Sequence, residues 1–209
     1  MARDRFATRA AIIESAAELV AAHGVGAVKI NALAESAKCD KVLIYRYFGG
    51  LGGVLEAVGS ERMLWPRVAV VEGGGGDEEV SLAHALETVV LEEWAALASG
   101  DLMLQAGAAE VVGMNALGRA TGVQRADRHA EIITALRAKH RVPPYVDLAA
   151  LLELLSAALA LFAMRAPRED TGARSASEGG AQRLDANTPE GWRRIEKTVG
   201  IVVRALLDS

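Results

Sequence analysis

Apolar residues recur at helical spacing along almost the whole chain of 209 residues, and this periodicity is what most constrains the fold. In the first segment, Ile12, Ile13, Ala16, Leu19 and Val20 share one face of a helix, because three- and four-residue steps return to the same side. No segment shows the sustained alternation of apolar and polar residues that indicates a β-strand. The sequence therefore predicts an all-α protein.

Three predicted helices fall within the first 50 residues. The first ends at His23-Gly24, and the second is a stripe of about two turns over residues 30–37. A tight turn at residues 38–40 precedes the third helix, over residues 41–48, and Gly49-Gly50 ends it. Two short helices joined by a three-residue turn, with a longer helix before them, are typical of a helix-turn-helix unit.

The predicted third helix holds an unusual share of the aromatic residues. The chain has three tyrosines and three phenylalanines, and Tyr45, Tyr47 and Phe48 lie within four residues. Ile44 and Phe48 are four apart and share a face, so we expect them to pack inward. The phenols suit hydrogen bonds to phosphate oxygens. The alternative is that the tyrosines are half-buried packing residues whose hydroxyls reach water. Spacing alone leaves both interpretations open.

With that face buried, Lys41, Val42, Tyr45 and Arg46 project outward, as on a recognition helix in the major groove. The overall net charge of −4 argues against a generally polyanion-binding protein, but residues 1–50 hold seven basic against five acidic residues. This asymmetry hints at an N-terminus that faces a polyanion.

Residues 8–58 resemble the DNA-binding region of the tetracycline-repressor (TetR) family of transcriptional regulators. The similarity lies in "AAIIESAAELVAAHGVGAVKINALAESA" and in "LIYRYFGGLGGVLEAV", which fits the family pattern of Leu-Tyr-x-His/Tyr-Phe before a Leu-rich fourth helix. The resemblance implies a DNA-binding domain over residues 1–50, a linking helix from about residue 51, and a helical ligand-binding and dimerisation domain over residues 51–209.

Matched position by position, the resemblance assigns a set of residues to the DNA-facing surface, to which geometry adds Arg46. The set is Asn31, Lys41, Val42, Tyr45, Arg46 and Tyr47. Four positions depart from the family pattern. Lys29 replaces a capping Thr, Lys38 replaces the turn glycine, and Leu43 and Leu51 replace phosphate-binding Thr and Lys. We expect weaker or differently oriented DNA binding, and a strained backbone at Lys38.

Beyond residue 50 the pattern remains helical. A fourth helix is predicted from Leu51 towards Val71, with Pro66 inside it. We expect this proline to kink or split the helix, and it could serve as a hinge. Further helices are predicted at roughly 80–98, 101–112, 121–140, 145–166 and 189–207. The Gly- and Ser-rich segment 167–187 is predicted to be a loop.

Catalytic and metal-binding motifs are missing from the sequence. None of the four histidines has a partner histidine three or four residues away, and no Gly-x-Ser-x-Gly motif occurs. We therefore expect no enzyme, no metal and no cofactor. The single cysteine, Cys39, excludes an intrachain disulfide. Its thiol, near Lys38 and Lys41, either is somewhat acidified or packs as a small apolar group.

In the second domain, the resemblance implies a small-molecule pocket. We expect large or polarisable residues to line this pocket, and the candidates are Trp65, His84, Trp94, Met103, Met114 and His129. The alternative is that Trp and Met simply fill an ordinary core.

The last two predicted helices carry wide apolar surfaces, and in the family such helices form a dimer interface. The interface residues predicted on this basis are Leu152, Leu155, Leu159, Phe162, Ile195, Val199, Val202 and Val203. The alternative is a monomer in which these helices close the core.

Together these features predict a ligand-responsive DNA-binding transcriptional regulator, interpreted as a repressor. Its expected partners are double-stranded DNA, bound as a palindromic operator, a second copy of the chain, and an unknown small-molecule effector that releases it. The alternatives are a helical small-molecule binding protein with a weakened DNA-binding domain, and an all-helical enzyme. The N-terminus lacks the apolar run of a secretory signal, so a cytoplasmic location without a membrane partner is expected.

Overall fold

The computed structural model describes residues 2–62, 65, 80–112, 115–165 and 188–207. Within these residues the regular elements are α1 Ala2–His23, a 3₁₀ turn Val25–Ala27, α2 Ile30–Ser36, α3 Lys41–Phe48, α4 Leu51–Glu61, α5 Leu82–Ser99, α6 Asp101–Val112, α7 Ala116–Lys139, α8 Leu148–Arg165 and α9 Pro189–Leu207. No strand occurs in this part of the chain, so the predicted all-α class is confirmed.

The chain divides into two compact units. The N-terminal unit comprises Met1–Pro66 and Ala96–Arg128, and the C-terminal unit comprises Arg67–Ala95 and His129–Ser209. Helices α5 and α7 each contribute residues to both. The helix-turn-helix segment thus belongs to the same unit as α4 and α6, and the division of functions at about residue 50 stays a prediction.

The core of the N-terminal unit joins α1 to the helix-turn-helix segment. Ile12, Ala16 and Val20 of α1 are fully buried, as are Leu33 of α2 and Ile44 of α3. Burying a side chain of this size stabilises the fold by about 1.5–3 kcal/mol. This apolar cluster therefore fixes which side of α3 faces inward, and the inward packing predicted for Ile44 is confirmed.

Helix α4 is shorter than predicted, because it ends at Glu61 with Arg62 in an extended conformation. The side-chain amide of Gln124 donates hydrogen bonds to the backbone oxygens of Ser60, at 2.8 Å, and Arg62, at 3.2 Å. These contacts satisfy carbonyls that a helix end leaves unpaired. Helix α4 therefore ends earlier than predicted, and Pro66 itself lies outside the described residues.

The C-terminal unit has its own apolar core, formed by α5, α7, α8 and α9. Its fully buried members include Leu86, Ile132, Leu136, Leu148 and Leu152. Among the described helices, none combines the length and apolar character that crossing a membrane requires.

Candidate nucleic-acid interface

The turn between α2 and α3 is a Schellman motif. The amide of Lys38 donates to the carbonyl of Glu35 at 3.1 Å, and the amide of Cys39 donates to that of Ala34 at 3.0 Å. Lys38 takes the left-handed conformation that this motif needs, with φ of 49°. The strain expected from replacing the turn glycine is therefore present, and the turn keeps its geometry.

Local signals fix both ends of α3 at the predicted residues. The carboxylate of Asp40 accepts a hydrogen bond of 2.9 Å from the amide of Val42 and caps the N-terminus. Gly49 ends the helix with φ of 73°, a conformation that favours glycine. Helix α4 then passes so close that a Cβ on Gly53 would lie 1.9 Å from the carbonyl oxygen of Phe48. Only glycine permits this approach of α4 to α3.

The outward face of α3 carries the residues that the sequence places there. Lys41 and Arg46 are exposed, and Val42 and Tyr45 are 61% and 55% exposed. This face carries two cations without a carboxylate of its own. It is therefore basic, with an apolar and a phenolic group between the charges. Its assignment to DNA stays a prediction.

The two remaining candidates differ in exposure. Asn31, at the start of α2, is exposed. Tyr47 is partly buried and packs against the core of the N-terminal unit. The predicted residues of α3 thus lie on its exposed face, except Tyr47, which is turned partly inward.

Helix α1 adds two arginines to this region that the sequence analysis missed. The guanidinium carbon of Arg5 lies 5.6 Å from the ring centroid of Tyr47, and that of Arg9 lies 5.0 Å from the ring centroid of Phe48. The available signal was their spacing of four residues, which places both on one face of α1.

Ion pairs connect α1 to the end of α4. Both terminal nitrogens of Arg9 donate to the carboxylate of Glu61, and Arg62 pairs with Glu14. The hydrogen bonds from Arg9 lower the pKa of Glu61. Arg9 therefore contacts the last residue of α3 and the last residue of α4 with one side chain.

The remaining departures from the family pattern have structural outcomes. Leu51 packs against the N-terminal core, and Leu43 is only partly exposed.

Cys39 is not acidified by its lysine neighbours. Partial burial raises the pKa of its thiol, and the charge of Asp40 raises it further. Cys39 also packs against the core, as in the alternative prediction.

The predicted pocket residues do not come together in one unit. Trp65 and Met103 are buried in the N-terminal unit, whereas Trp94 and His129 belong to the C-terminal unit. His84 is exposed and so does not line an interior, and Met114 lies outside the described residues. Trp94 packs on Trp192 with a centroid separation of 4.1 Å, which matches the alternative that these rings fill a core.

His129 is buried and lies at the centre of a polar cluster. Its Nε2 is 2.9 Å from Oε1 of Glu93, and its Nδ1 is 3.0 Å from Oε1 of Glu153. The hydroxyl of Ser156 donates to Oε2 of Glu93 at 2.6 Å. Burial lowers the pKa of His129, but the hydrogen bonds and charges of the two glutamates outweigh it and leave the pKa raised.

The contacts of this cluster occupy both ring nitrogens of its histidine. Both ring nitrogens of His129 already face carboxylates, and no three His, Cys, Asp or Glu side chains of the described residues are placed to bind a metal ion. Elsewhere in the same unit, the buried atoms Nε1 of Trp94 and Oε2 of Glu92 have no hydrogen-bond partner among the described residues.

Most of the predicted dimer-interface residues pack in the core of the C-terminal unit, and their part in a dimer stays a prediction. The buried ones are Leu152, Leu159, Ile195, Val199 and Val203. Leu155 and Phe162 are partly buried and pack on the same core. Val202 is the exposed member. The large apolar residues that α8 and α9 expose are Leu154, Leu161, Ile201, Val202 and Leu206.

Comparison with known proteins agrees with this geometry. Residues 12–58, from the buried face of α1 to α4, match the family model of bacterial regulatory proteins of the tetR family. This segment of the chain is therefore of the tetR-family type. An HTH-type transcriptional repressor from Streptomyces coelicolor, SCO4008, is 40% identical over 63 residues, which are 30% of this chain and 33% of the relative. The chain thus matches about a third of that relative's length.

Solved structures extend the similarity to the whole fold. A crystal structure assigned to the TetR family, from Rhodococcus sp., has a TM-score of 0.60 and 18% identity, covering 96% of this chain and 98% of its own. FadR from Bacillus subtilis, in complex with stearoyl-CoA, has a TM-score of 0.57 and 16% identity, covering 74% of this chain and 84% of its own. At these identities the similarity shows the fold alone.

Proposed function

We propose that this TetR-family protein is a transcriptional repressor that binds a palindromic operator as a homodimer and is released by a small molecule. The observation that carries the proposal is the division of α3 into two faces. Ile44 is fully buried, while Val42 and Tyr45 are more than half exposed between the cations Lys41 and Arg46. Such a helix can enter a major groove without disturbing its own core.

The side chains of this face suit different parts of a duplex. Lys41 and Arg46 would neutralise phosphates, and the Tyr45 hydroxyl would donate to a phosphate oxygen. Val42 would make apolar contact with a thymine methyl group. Asn31 would contact the backbone beside the groove. We infer that Val42 and its neighbours contribute to sequence preference and that the cations contribute affinity.

The exposed apolar residues of α8 and α9 support self-association. Leu154 is 70% exposed, and Leu161 and Ile201 are also large apolar groups open to solvent. Exposed apolar surface of this kind marks protein contact sites. Because two recognition helices read two half-sites, a homodimer accounts for both this surface and the palindromic operator.

The effector site is proposed for the C-terminal unit. Buried polar atoms that have no partner among the described residues, such as Nε1 of Trp94, are groups that a ligand could satisfy. FadR from Bacillus subtilis, a protein of this fold, forms a complex with the small molecule stearoyl-CoA. Release from DNA requires that the effector bind two conformations with unequal affinity. A regulator of this kind acts on the chromosome, so we propose a cytoplasmic location.

A second candidate function is a small-molecule binding protein whose helix-turn-helix has lost most of its DNA affinity. It is favoured by Leu43 and Leu51, which stand where the family has phosphate-binding residues and are both partly buried. Under this alternative, salt-sensitive DNA binding would be absent.

The test compares the full chain with the double variant Lys41→Gln/Arg46→Gln in binding to a pool of random-sequence duplex DNA. We expect the wild type to bind with an affinity that falls steeply with salt, and the variant to bind more weakly with a shallower dependence. The control Arg137→Gln removes an exposed cation of the C-terminal unit and should bind like the wild type. Equal binding by the double variant and the wild type would contradict the assignment of α3.

A further inference from the structure

We propose that Arg5, in the first turn of α1, is a further DNA-contacting residue, and that the ring of Tyr47 holds its guanidinium in position for a phosphate. This inference rests on the proposed DNA-binding function and adds to it a cation from outside the helix-turn-helix. The observation behind it is the distance of 5.6 Å between the guanidinium carbon of Arg5 and the ring centroid of Tyr47.

The two arginines of α1 near α3 differ in their electrostatic surroundings. Arg9 forms an ion pair with Glu61, so its charge is largely neutralised within the unit. Arg5 is exposed, and no carboxylate among the described side chains pairs with it. An exposed cation that is not neutralised beside a recognition helix remains available for a phosphate.

Tyr47 is suited to hold a guanidinium because its own position is fixed. The residue is partly buried and packs against the core formed by Ile44 and its neighbours. A guanidinium stacked on an aromatic ring keeps its N–H donors directed outward in the guanidinium plane, where they match two phosphate oxygens. Stacking therefore places Arg5 before DNA arrives and reduces the entropy lost on binding.

Arg5 also lies at a useful position along α3. The helix has eight residues and so a length of about 12 Å. Lys41 stands at its first residue, whereas Tyr47 carries Arg5 to its last turn. When the N-terminal side chains of a recognition helix lie at base edges, the opposite end points towards the backbone. Arg5 would thus meet a phosphate different from the one that Lys41 meets.

The test is the affinity of Arg5→Gln, in the full chain, for the duplex enriched from a random pool and for the unselected pool, over a series of salt concentrations. We expect a loss of roughly tenfold on both DNAs at low salt, and a decrease of about one in the salt slope for each protomer. Arg137→Gln is the matched control, and thermal unfolding checks that each variant is folded. Unchanged affinity and slope would overturn the proposal, and so would a loss confined to one base pair, because Arg5 would then read a base.

The role of Tyr47 has a separate readout. Arg5→Gln should cost the same in a Tyr47→Phe background as in the wild type, because the ring remains. In a Tyr47→Leu background its cost should shrink at least several-fold. If Arg5→Gln reduced DNA affinity equally in the Tyr47→Phe and Tyr47→Leu backgrounds, the positioning role of Tyr47 would be overturned. Absence of DNA binding by the wild type would instead contradict the proposed function, so the two failures can be told apart.

Discussion

The ring nitrogen Nε2 of His129 lies 2.9 Å from Oε1 of Glu93, and each residue is only 3% exposed. The two residues come from α7 and α5, so this contact joins two helices of the C-terminal unit through a buried ion pair. A buried pair adds little net stability compared with apolar residues, but removing one member leaves an uncompensated charge. The pair is therefore a sensitive point of the fold.

We expect His129→Ala to lower the free energy of unfolding by roughly 3–5 kcal/mol, because Ser156 is then the one hydrogen-bond partner of Glu93 among the described residues. Denaturant unfolding at slightly acidic pH measures this loss. The control is His84→Ala, at an exposed histidine of the same unit, which should change the free energy by less than about 0.5 kcal/mol. Similar values for the two variants would show that the contact does not stabilise the unit.

The same cluster predicts a pH dependence of stability. Because Glu93 and Glu153 leave the pKa of His129 raised, folding favours the protonated ring. The stabilisation is fully present below the unfolded pKa of about 6.5 and is lost as pH rises through the higher folded value. Unfolding free energies of the wild type should fall over that range relative to those of His129→Ala. Parallel pH profiles for the two proteins would contradict this linkage.

Gly52 and Gly53 are adjacent in α4, but we expect alanine at the two positions to have opposite effects on the stability of the fold. A Cβ on Gly53 would lie 1.9 Å from the Phe48 carbonyl oxygen, whereas one on Gly52 would meet nothing within 4 Å. Gly53→Ala should push α4 away from α3 and cost about 1–3 kcal/mol. Gly52→Ala should stabilise the helix by up to about 1 kcal/mol. Thermal unfolding with DNA-binding assays distinguishes them, and equal effects would contradict the close contact.

Leu154→Glu should convert the proposed homodimer into a monomer, because it places a charge in the exposed apolar surface of α8 and α9. The control is Val123→Glu in the N-terminal unit, where the valine is 62% exposed. Sedimentation equilibrium measures the mass of both variants. A dimeric Leu154→Glu protein, or a monomeric wild type, would show that this surface does not mediate self-association.

Helix boundaries could be predicted from the sequence where they depend on residues that are neighbours in the chain. Helix α3 spans the predicted residues 41–48, since the cap at Asp40 and the left-handed Gly49 act within one turn of its ends. The end of α4 was predicted wrongly, because the amide that satisfies its last carbonyls comes from Gln124, more than sixty residues later.

The faces of α8 illustrate a second limit. Leu151, Leu152, Leu154 and Leu155 spread over nearly half of the helix circumference, so periodicity does not reveal which of them meet the protein's own core. The structure buries Leu152 and exposes Leu154. The contact of Arg5 with Tyr47 and that of His129 with Glu93 likewise join residues far apart in sequence. No local pattern encodes such pairs, because tertiary packing creates them.

The most direct test of the central claim is selection of random-sequence duplex DNA by the full-length protein at two salt concentrations. The proposed homodimer with α3 as its reading helix predicts enrichment of a palindrome, bound more weakly at the higher salt because phosphate contacts release counterions. Failure to enrich any sequence at either salt concentration would contradict an operator-binding regulator and favour the small-molecule binding protein.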